Sequence, residues 1–237
     1  MITGMYSGAT ALNNLAQQQE VISTNLAHLN TAGYRRQVLT FGELTTDSNS
    51  NFTSSSGARV RSIDVDFGSG LKKVTGRPLD LAINGDGFFV LEGPEETTYS
   101  KNGVFFRDTD GTLINQDGMN VLGNGETVII PPGVPDEEIV IDADGRIFGG
   151  GRELGQISIV EFDDPHELKS DSQVYFTLGD ATEVDSDESV VIQGTRELSN
   201  ATPVTELVNL IVGSRSFESA QRAMRTISEA LQQNVRS

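Results

Sequence analysis

Leucine and isoleucine recur near the start of the chain at intervals of three, four and seven: Leu12, Leu15, Ile22, Leu26 and Leu29. A 3.6-residue turn brings such positions to one side, so the spacing predicts a helix with a single apolar stripe. In a seven-residue frame Leu12, Gln19 and Leu26 share one position, and Leu15, Ile22 and Leu29 share its companion. Asn30, Thr31 and Gly33 continue a helix poorly, so the helix is expected to stop near Leu29 to Ala32, with Arg35 and Arg36 beside the negative end of its dipole. The C-terminal segment repeats the pattern. Leu210, Phe217, Met224 and Leu231 recur every seven residues, with Gly213, Ala220 and Ile227 at the companion spacing. Thr202 reads as the N-cap of that helix, Pro203 as its first residue and Glu206 as an acid in its first turn.

Between the two stripes the periodicity changes. GELTTDSNSNFTSSSG, Gly42 to Gly57, is rich in Ser, Thr and Asn and reads as a flexible or extended linker; within it Asn51-Phe52-Thr53 formally matches a glycosylation acceptor. From about Arg59 to Gln193 short apolar runs alternate with tight-turn dipeptides. IVIDADGRIFGG, Ile139 to Gly150, places two such runs around Asp144-Gly145, a hairpin signature because that pair tolerates positive φ. FFRDTDGTLIN, Phe105 to Asn115, pivots likewise on Asp110-Gly111, and NGDGFFVLEG sets a turn before a strand at Phe88–Leu91. Thr127–Ile130, Gln156–Phe162, Gln173–Leu178 and Ser189–Gln193 are further strand candidates.

The expected fold is mainly β with α-helical termini: N- and C-terminal helices pair as a coiled-coil-like terminal layer, and an antiparallel β body lies between them in sequence. The expected organisation is a first helix within 1–36, a linker or extended segment at 37–75, a central β domain at 76–198 and a second helix within 199–237. A stripe on one helix must be covered, since isolated helices are marginal in water. The two helices could fold back on the β body or pair with each other and then with other subunits.

Charge sharpens this picture. The 237 residues carry a net −17, but residues 1–40 and 204–237 are each +1, leaving −19 in the middle. Few charges on striped helices suit close helix packing, and the acidic total disfavours nucleic acid and anionic membrane. With no Cys, disulfides, thiolate metal sites and Cys nucleophiles are excluded. No apolar run is long enough for a membrane helix, and the N-terminus lacks a basic region followed by an apolar one, so insertion and a cleaved signal peptide are not expected.

Chemistry is sparse. Counting from Asp108 or from Asp142, the Asp/Gly turns put the wrong residues at the calcium-ligand positions of an EF-hand. Glu95-Glu96, Asp163-Asp164 and Asp136-Glu137-Glu138 read as solvated turns rather than a glycosidase pair. His28 and His166 stand alone as metal ligands. No nucleophile elbow, P-loop or dinucleotide fingerprint occurs, and Gly4-Met5-Tyr6-Ser7-Gly8 has the wrong spacing for the first of these. No catalytic residue, cofactor or metal site is expected.

Four segments carry a resemblance. Asn25-Leu26-Ala27, Asn30-Thr31 and Gly33-Tyr34-Arg35 resemble the N-terminal signature of the flagellar basal-body rod and hook protein family. TGRPLDLAINGDGFFVL, Thr75 to Leu91, and YSKNGVFFRDTDGTLINQDGMNVLG, Tyr99 to Gly123, are similar to its middle motifs, and SNATPVTELVNLIVGSRSFESAQRAM, Ser199 to Met224, to its C-terminal helix signature. The resemblance implies a structural, non-enzymatic subunit of the flagellar axis in the periplasmic rod. Such a subunit would be exported by the flagellar type III apparatus without a cleaved signal, and its partners would be itself and other rod or hook proteins. The short chain favours the proximal-rod type, with distal-rod or hook-type subunits as alternatives. An extracellular β-rich binding module and a carbohydrate-active enzyme are the rival classes. In the implied assembly Leu12, Leu15, Ile22, Leu26 and Leu29 pack against Leu210, Phe217, Met224, Ile227 and Leu231, while Asn30, Thr31, Gly33 and Tyr34 shape the exit from the helical layer.

Overall fold

The computed structural model describes residues 2–43, 58–172, 174–184 and 189–236. The chain divides into two compact units: Met1–His28, Arg36–Asp66 and Ala201–Ser237 form one, and Leu29–Arg35 with Phe67–Asn200 form the other.

The first unit is built on two helices, α1 (Ile2–Ala27) and α2 (Pro203–Arg236). They pack side by side and antiparallel: Gly8 faces Met224 near one end, and Gln19 Nε2 donates to Ser214 Oγ at 3.4 Å further along. Val21 and Ile22 of α1 are buried, each contributing about 1.5–3 kcal/mol by removal from water. At the start of α2 the Thr202 carbonyl accepts from the Glu206 amide at 3.0 Å, while the Thr202 hydroxyl bonds to that of Thr205 rather than to a backbone amide.

The segment expected as a linker instead carries strands. β1 (Gln37–Glu43) and β2 (Ala58–Val65) form an antiparallel ribbon in register from Gln37↔Val65 to Thr40↔Ser62, with a bulge before Phe41↔Val60. Alternation in QVLTF and VRSIDV supplies the period-two signal, short runs that the neighbouring Ser/Thr tract obscures. The ribbon packs beside α1. The core of the proposed linker, including Asn51-Phe52-Thr53, lies outside the described residues.

The second unit is antiparallel β. Its main sheet runs Lys169–Ser170, Tyr175–Thr177, Thr97–Ser100, Phe88–Glu92, Asn120–Gly123, Leu113–Ile114, Phe106–Arg107, with Ile159–Phe162 also paired to Phe88–Glu92. Phe88–Glu92 is buried at four successive positions, which explains its unbroken apolar run. Both hairpins form. Val140–Ile141 pairs with Arg146–Gly149 across Asp144-Gly145, where Gly145 has φ +79, and Phe106–Arg107 pairs with Leu113–Ile114 across Asp110-Gly111.

Other strands differ in extent. Gln156–Phe162 is broken at Ile157-Ser158, whose amides turn to Gly145 O and Leu122 O, leaving Arg152–Gln156 and Ile159–Phe162. Thr127–Ile130 is regular only at Glu126–Thr127; beyond it, Val128 and Ile130 bond to Val121 O and Gly111 O. Gln173 lies outside the described residues, next to the strand Tyr175–Thr177, and Ser189–Gln193 is realised as Val190–Gln193. The core contains Leu81, Phe89, Leu91, Phe105, Leu113 and Ile147, all fully enclosed. A second, aromatic cluster joins Phe67, Phe88, Phe162 and Phe176, edge-on except for the tilted Phe67–Phe176 pair.

Candidate functional site

The helix pair is the surface to which the sequence assigns function. In α1, Ile22 is buried while Leu12, Leu15 and Leu26 are half-buried; in α2, Leu210, Phe217, Met224 and Ile227 are half-buried, and the side chain of Leu231 lies outside the described residues. The helices approach closely where one side lacks a side chain. A Cβ on Gly8 would overlap the Met224 thioether, and one on Gly213 would sit 3.8 Å from Gln19 and 4.0 Å from Ile22. Gly213 belongs to the companion positions read from the sequence; Gly8 was not foreseen, and only its place one turn before Leu12 hints at it.

Below the seam, polar groups fix the start of the ribbon. Asn25, which is buried, donates from Nδ2 to Gln37 O at 3.0 Å and accepts the Gln37 amide at Oδ1 at 2.9 Å, imitating a strand partner. Arg36 Nε meets Glu206 Oε1 at 2.7 Å, with the glutamate side chain fully enclosed.

The residues expected to shape the helix exit belong to the β unit. α1 ends at Ala27, two residues short of the expected limit, with a last bond from the His28 amide to Thr24 O at 3.2 Å. Leu29 and Thr31 are half-buried, Asn30 is exposed, and Gly33 and Tyr34 are buried. Gly33 has φ +70 and donates its amide to Glu197 O at 3.0 Å, and its α-carbon lies so near the Asn102 backbone that no side chain fits.

Arg35 and Arg36 are not helix-dipole partners, since the last turn of α1 holds no base. Arg35 Nη2 pairs with Glu197 Oε1 at 2.8 Å, both side chains closed to solvent, and that oxygen also accepts the Gly70 amide at 2.7 Å. Nearby, Lys101 is buried with Nζ bonded to Gly85 O at 3.0 Å and 4.7 Å from the Phe88 ring centre. Burial first, and then the Arg35 charge, push the Lys101 ammonium down to about 8, against the opposing pull of Glu197, Asp86 and Glu161. Sequence reasoning missed Glu197 and Lys101; two lone arginines at the end of a nearly uncharged segment were the available signal.

Elsewhere the arrangement offers structure rather than chemistry. Glu95, Glu96, Asp163 and Asp164 are exposed, Asp136 pairs with Arg107 at 2.8 Å, and His166 stacks edge-on against Phe67. No group of three or more His, Cys, Asp or Glu among the described residues could hold a metal ion, and no described helix is long and apolar enough to cross a membrane.

Three stretches of the chain match models of known protein families. Residues 5–35 match the family model for flagella basal body rod protein, residues 82–149 that for the flagellar hook protein FlgE/F/G D1 domain, and residues 192–236 that for the flagellar basal body rod FlgEFG protein C-terminal region. The chain is 30% identical to flagellar basal-body rod protein FlgG of Bacillus subtilis, covering 99% of this chain and 98% of that protein. It is 27% identical to flagellar basal-body rod protein FlgF of Caulobacter vibrioides, over 97% of this chain and 95% of the relative. To FlgF of Salmonella typhimurium it is 26% identical over 95% and 94%. With paired terminal helices, an antiparallel β unit and end-to-end similarity of this extent, the chain belongs to the flagellar basal-body rod protein family.

Proposed function

We propose that this rod-family chain is a non-enzymatic subunit that polymerises through α1 and α2 into the axial drive shaft and transmits torque by rigid packing. The observation that carries the reading is the incomplete burial of the seam. Leu12, Leu15, Leu26, Leu210, Phe217, Met224 and Ile227 are only half-covered by one partner helix. Two helices cannot enclose a stripe on both sides, so further helices from neighbouring subunits complete it. The near-neutral ends suit such packing, and the acidic β unit suits an outer, solvated position.

On this reading the helices within residues 1–36 and 199–237 supply the inner layer, 76–198 the outer domain, and Asn30, Thr31, Gly33 and Tyr34, which pack with the β unit, the exit between them. The chain is exported by the flagellar type III apparatus to the periplasmic rod, where its neighbours are copies of itself and other axial proteins. Relatives of both the FlgF and FlgG kinds occur; the length of 237 residues favours the proximal-rod position.

The test places a charge on the stripe. Leu26→Asp and Met224→Asp should abolish incorporation into the rod, read by electron microscopy of purified basal bodies, while the β unit keeps its circular dichroism. Normal incorporation of both variants would overturn the packing role. Hydrogen exchange gives a second check: the terminal helices should gain protection on assembly, because ordering and burial occur together.

A further inference from the structure

A two-stranded ribbon of the β unit holds a charge arrangement with no internal compensation. Lys72–Val74 pairs with Thr195–Glu197, and Lys73 stands directly opposite Arg196. Opposite residues of an antiparallel pair share a face, and like charges there repel. Thr195 and Glu197 are buried, so alternation turns Arg196 and Lys73 away from that buried face. Neither forms an ion pair among the described residues, and Arg196 Nε is buried with no hydrogen-bond partner among them. On a chain of net −17, two unpaired cations are a local reversal of the field.

Arg196 lines a cleft of about 450 Å³, within the roughly 300–1,000 Å³ usual for small-ligand sites. In the same cleft Asn102 is only 6% exposed and is held at two points: its amide donates to Ser100 Oγ at 3.0 Å, and its Oδ1 accepts the Val104 amide at 3.1 Å. The second bond orients the side chain and leaves Nδ2, a donor, without a partner among the described residues. Donors on side chains this buried are normally satisfied. Arg196 and Asn102 therefore bring unfilled donors to one cleft.

The cleft also carries one acid. Asn115 Oδ1 accepts the amides of Asp117 and Met119 at 3.0 and 2.8 Å, and this turn sets Asp117 beside Tyr175, whose hydroxyl donates to Asp117 Oδ2. Burial first, and then the bond to Asp117, push the Tyr175 phenol up, so at neutral pH it stays a donor. Asp117 Oδ1 has no partner among the described residues. A purely anionic ligand such as phosphate would meet that carboxylate. A ligand with a carboxylate beside an N–H or ammonium group suits both ends, with its acceptors on Arg196 and Asn102 and its donor on Asp117. Val104 and Val174 add an apolar wall for a small side chain.

We propose that this cleft binds the α-carboxylate of an amino acid, free or at the C-terminus of a peptide, between Arg196, Asn102 and Asp117. Lys73 beside Arg196 raises the local positive potential. All four residues belong to the β unit, so the site stands independently of the rod-subunit reading.

Full-length protein is titrated with glycine, with N-acetylglycylglycine and, as the control without a carboxylate, with N-acetylglycinamide, while the Asn102 side-chain amide signals are followed by NMR. The expected result is saturable shifts with at least one of the first two probes and none with the control. Tighter binding of glycine assigns the site to free amino acids; tighter binding of N-acetylglycylglycine assigns it to peptide C-termini. Arg196→Gln and Asp117→Asn should each weaken the preferred probe at least tenfold, since each removes a charge-assisted hydrogen bond. Lys73→Gln should weaken it about threefold and flatten its salt dependence. Asp117 and Lys73 are exposed, and Asn at 117 still accepts from Tyr175, so these two variants decide the matter if Arg196→Gln fails to fold. Absent or unsaturable shifts with both carboxylate probes would overturn the proposal, and so would equal shifts with N-acetylglycinamide or with inorganic phosphate.

Discussion

Arg35 and Glu197 meet at 2.8 Å with 0% and 1% of their side chains exposed, joining positions 162 residues apart. Glu197 is held three ways, by the guanidinium, by the Gly70 amide on its carboxylate and by the Gly33 amide on its carbonyl. Arg35 Nε and Nη1 have no hydrogen-bond partner among the described residues, so the glutamate bears most of the compensation for burying that cation. Removing one member of such a pair strands the other. Glu197→Gln or Arg35→Met should each destabilise the β unit by about 3–5 kcal/mol, read by urea unfolding. Arg35→Met combined with Glu197→Leu should recover part of the loss. Recovery stays incomplete because the Gly70 amide then lacks its acceptor, at about 1–3 kcal/mol.

The Lys101 ammonium supplies a pH dependence whose sign follows from its direction. Its folded value of about 8 lies below the ordinary 10.5, so between those limits the unfolded chain binds the proton more tightly. Stability from this group therefore rises with pH across that window, and the penalty is full below about 8. Wild-type protein should gain stability relative to Lys101→Met between pH 7.5 and 10, by a few kcal/mol at most. Matched urea titrations at the two pH values measure the difference, and parallel curves for the two proteins would contradict it.

Gly8 and Gly33 look alike in sequence but should respond differently. At Gly8 the neighbour is the flexible end of Met224, which can swing away; at Gly33 it is the Asn102 backbone, and φ is +70. Gly8→Ala should cost under about 1 kcal/mol, whereas Gly33→Ala combines left-handed strain with overlap and should cost about 2–4 kcal/mol. Thermal unfolding of the two variants separates them.

The helices, both hairpins and the buried Phe88–Glu92 strand were legible because each follows a local period or a turn dipeptide. The ribbon at Gln37–Glu43 and Ala58–Val65 was not, because its pairing spans a polar tract that by itself reads as a linker. The fate of Leu29–Arg35 was hidden for a different reason. Helical periodicity carries Leu29 forward with α1, but the residues that hold this segment, Glu197 and Asn102, are remote in sequence. On the seam, Gly8 and the polar anchor at Asn25 depend on what lies opposite, and no local period marks either.

Asn25 gives a further expectation. Asn25→Ala leaves both the amide and the carbonyl of Gln37 without their side-chain partner, which should cost about 2–4 kcal/mol in the helix unit. Hydrogen exchange at the Gln37 amide should accelerate by at least tenfold, with the amides of Phe88–Glu92 unaffected.

The clasp on Arg35 also sets a timetable for folding. Strands at Lys72–Val74 and Leu81–Asn84 take their partners from Thr195–Glu197 and Val190–Gln193, and Arg35 waits for the same late stretch. Such long-range pairings form slowly and only when both ends are present. A chain that emerges from a ribosome or a narrow pore N-terminus first therefore lacks the edges and the clasp of its β unit until little more than the last helix remains inside.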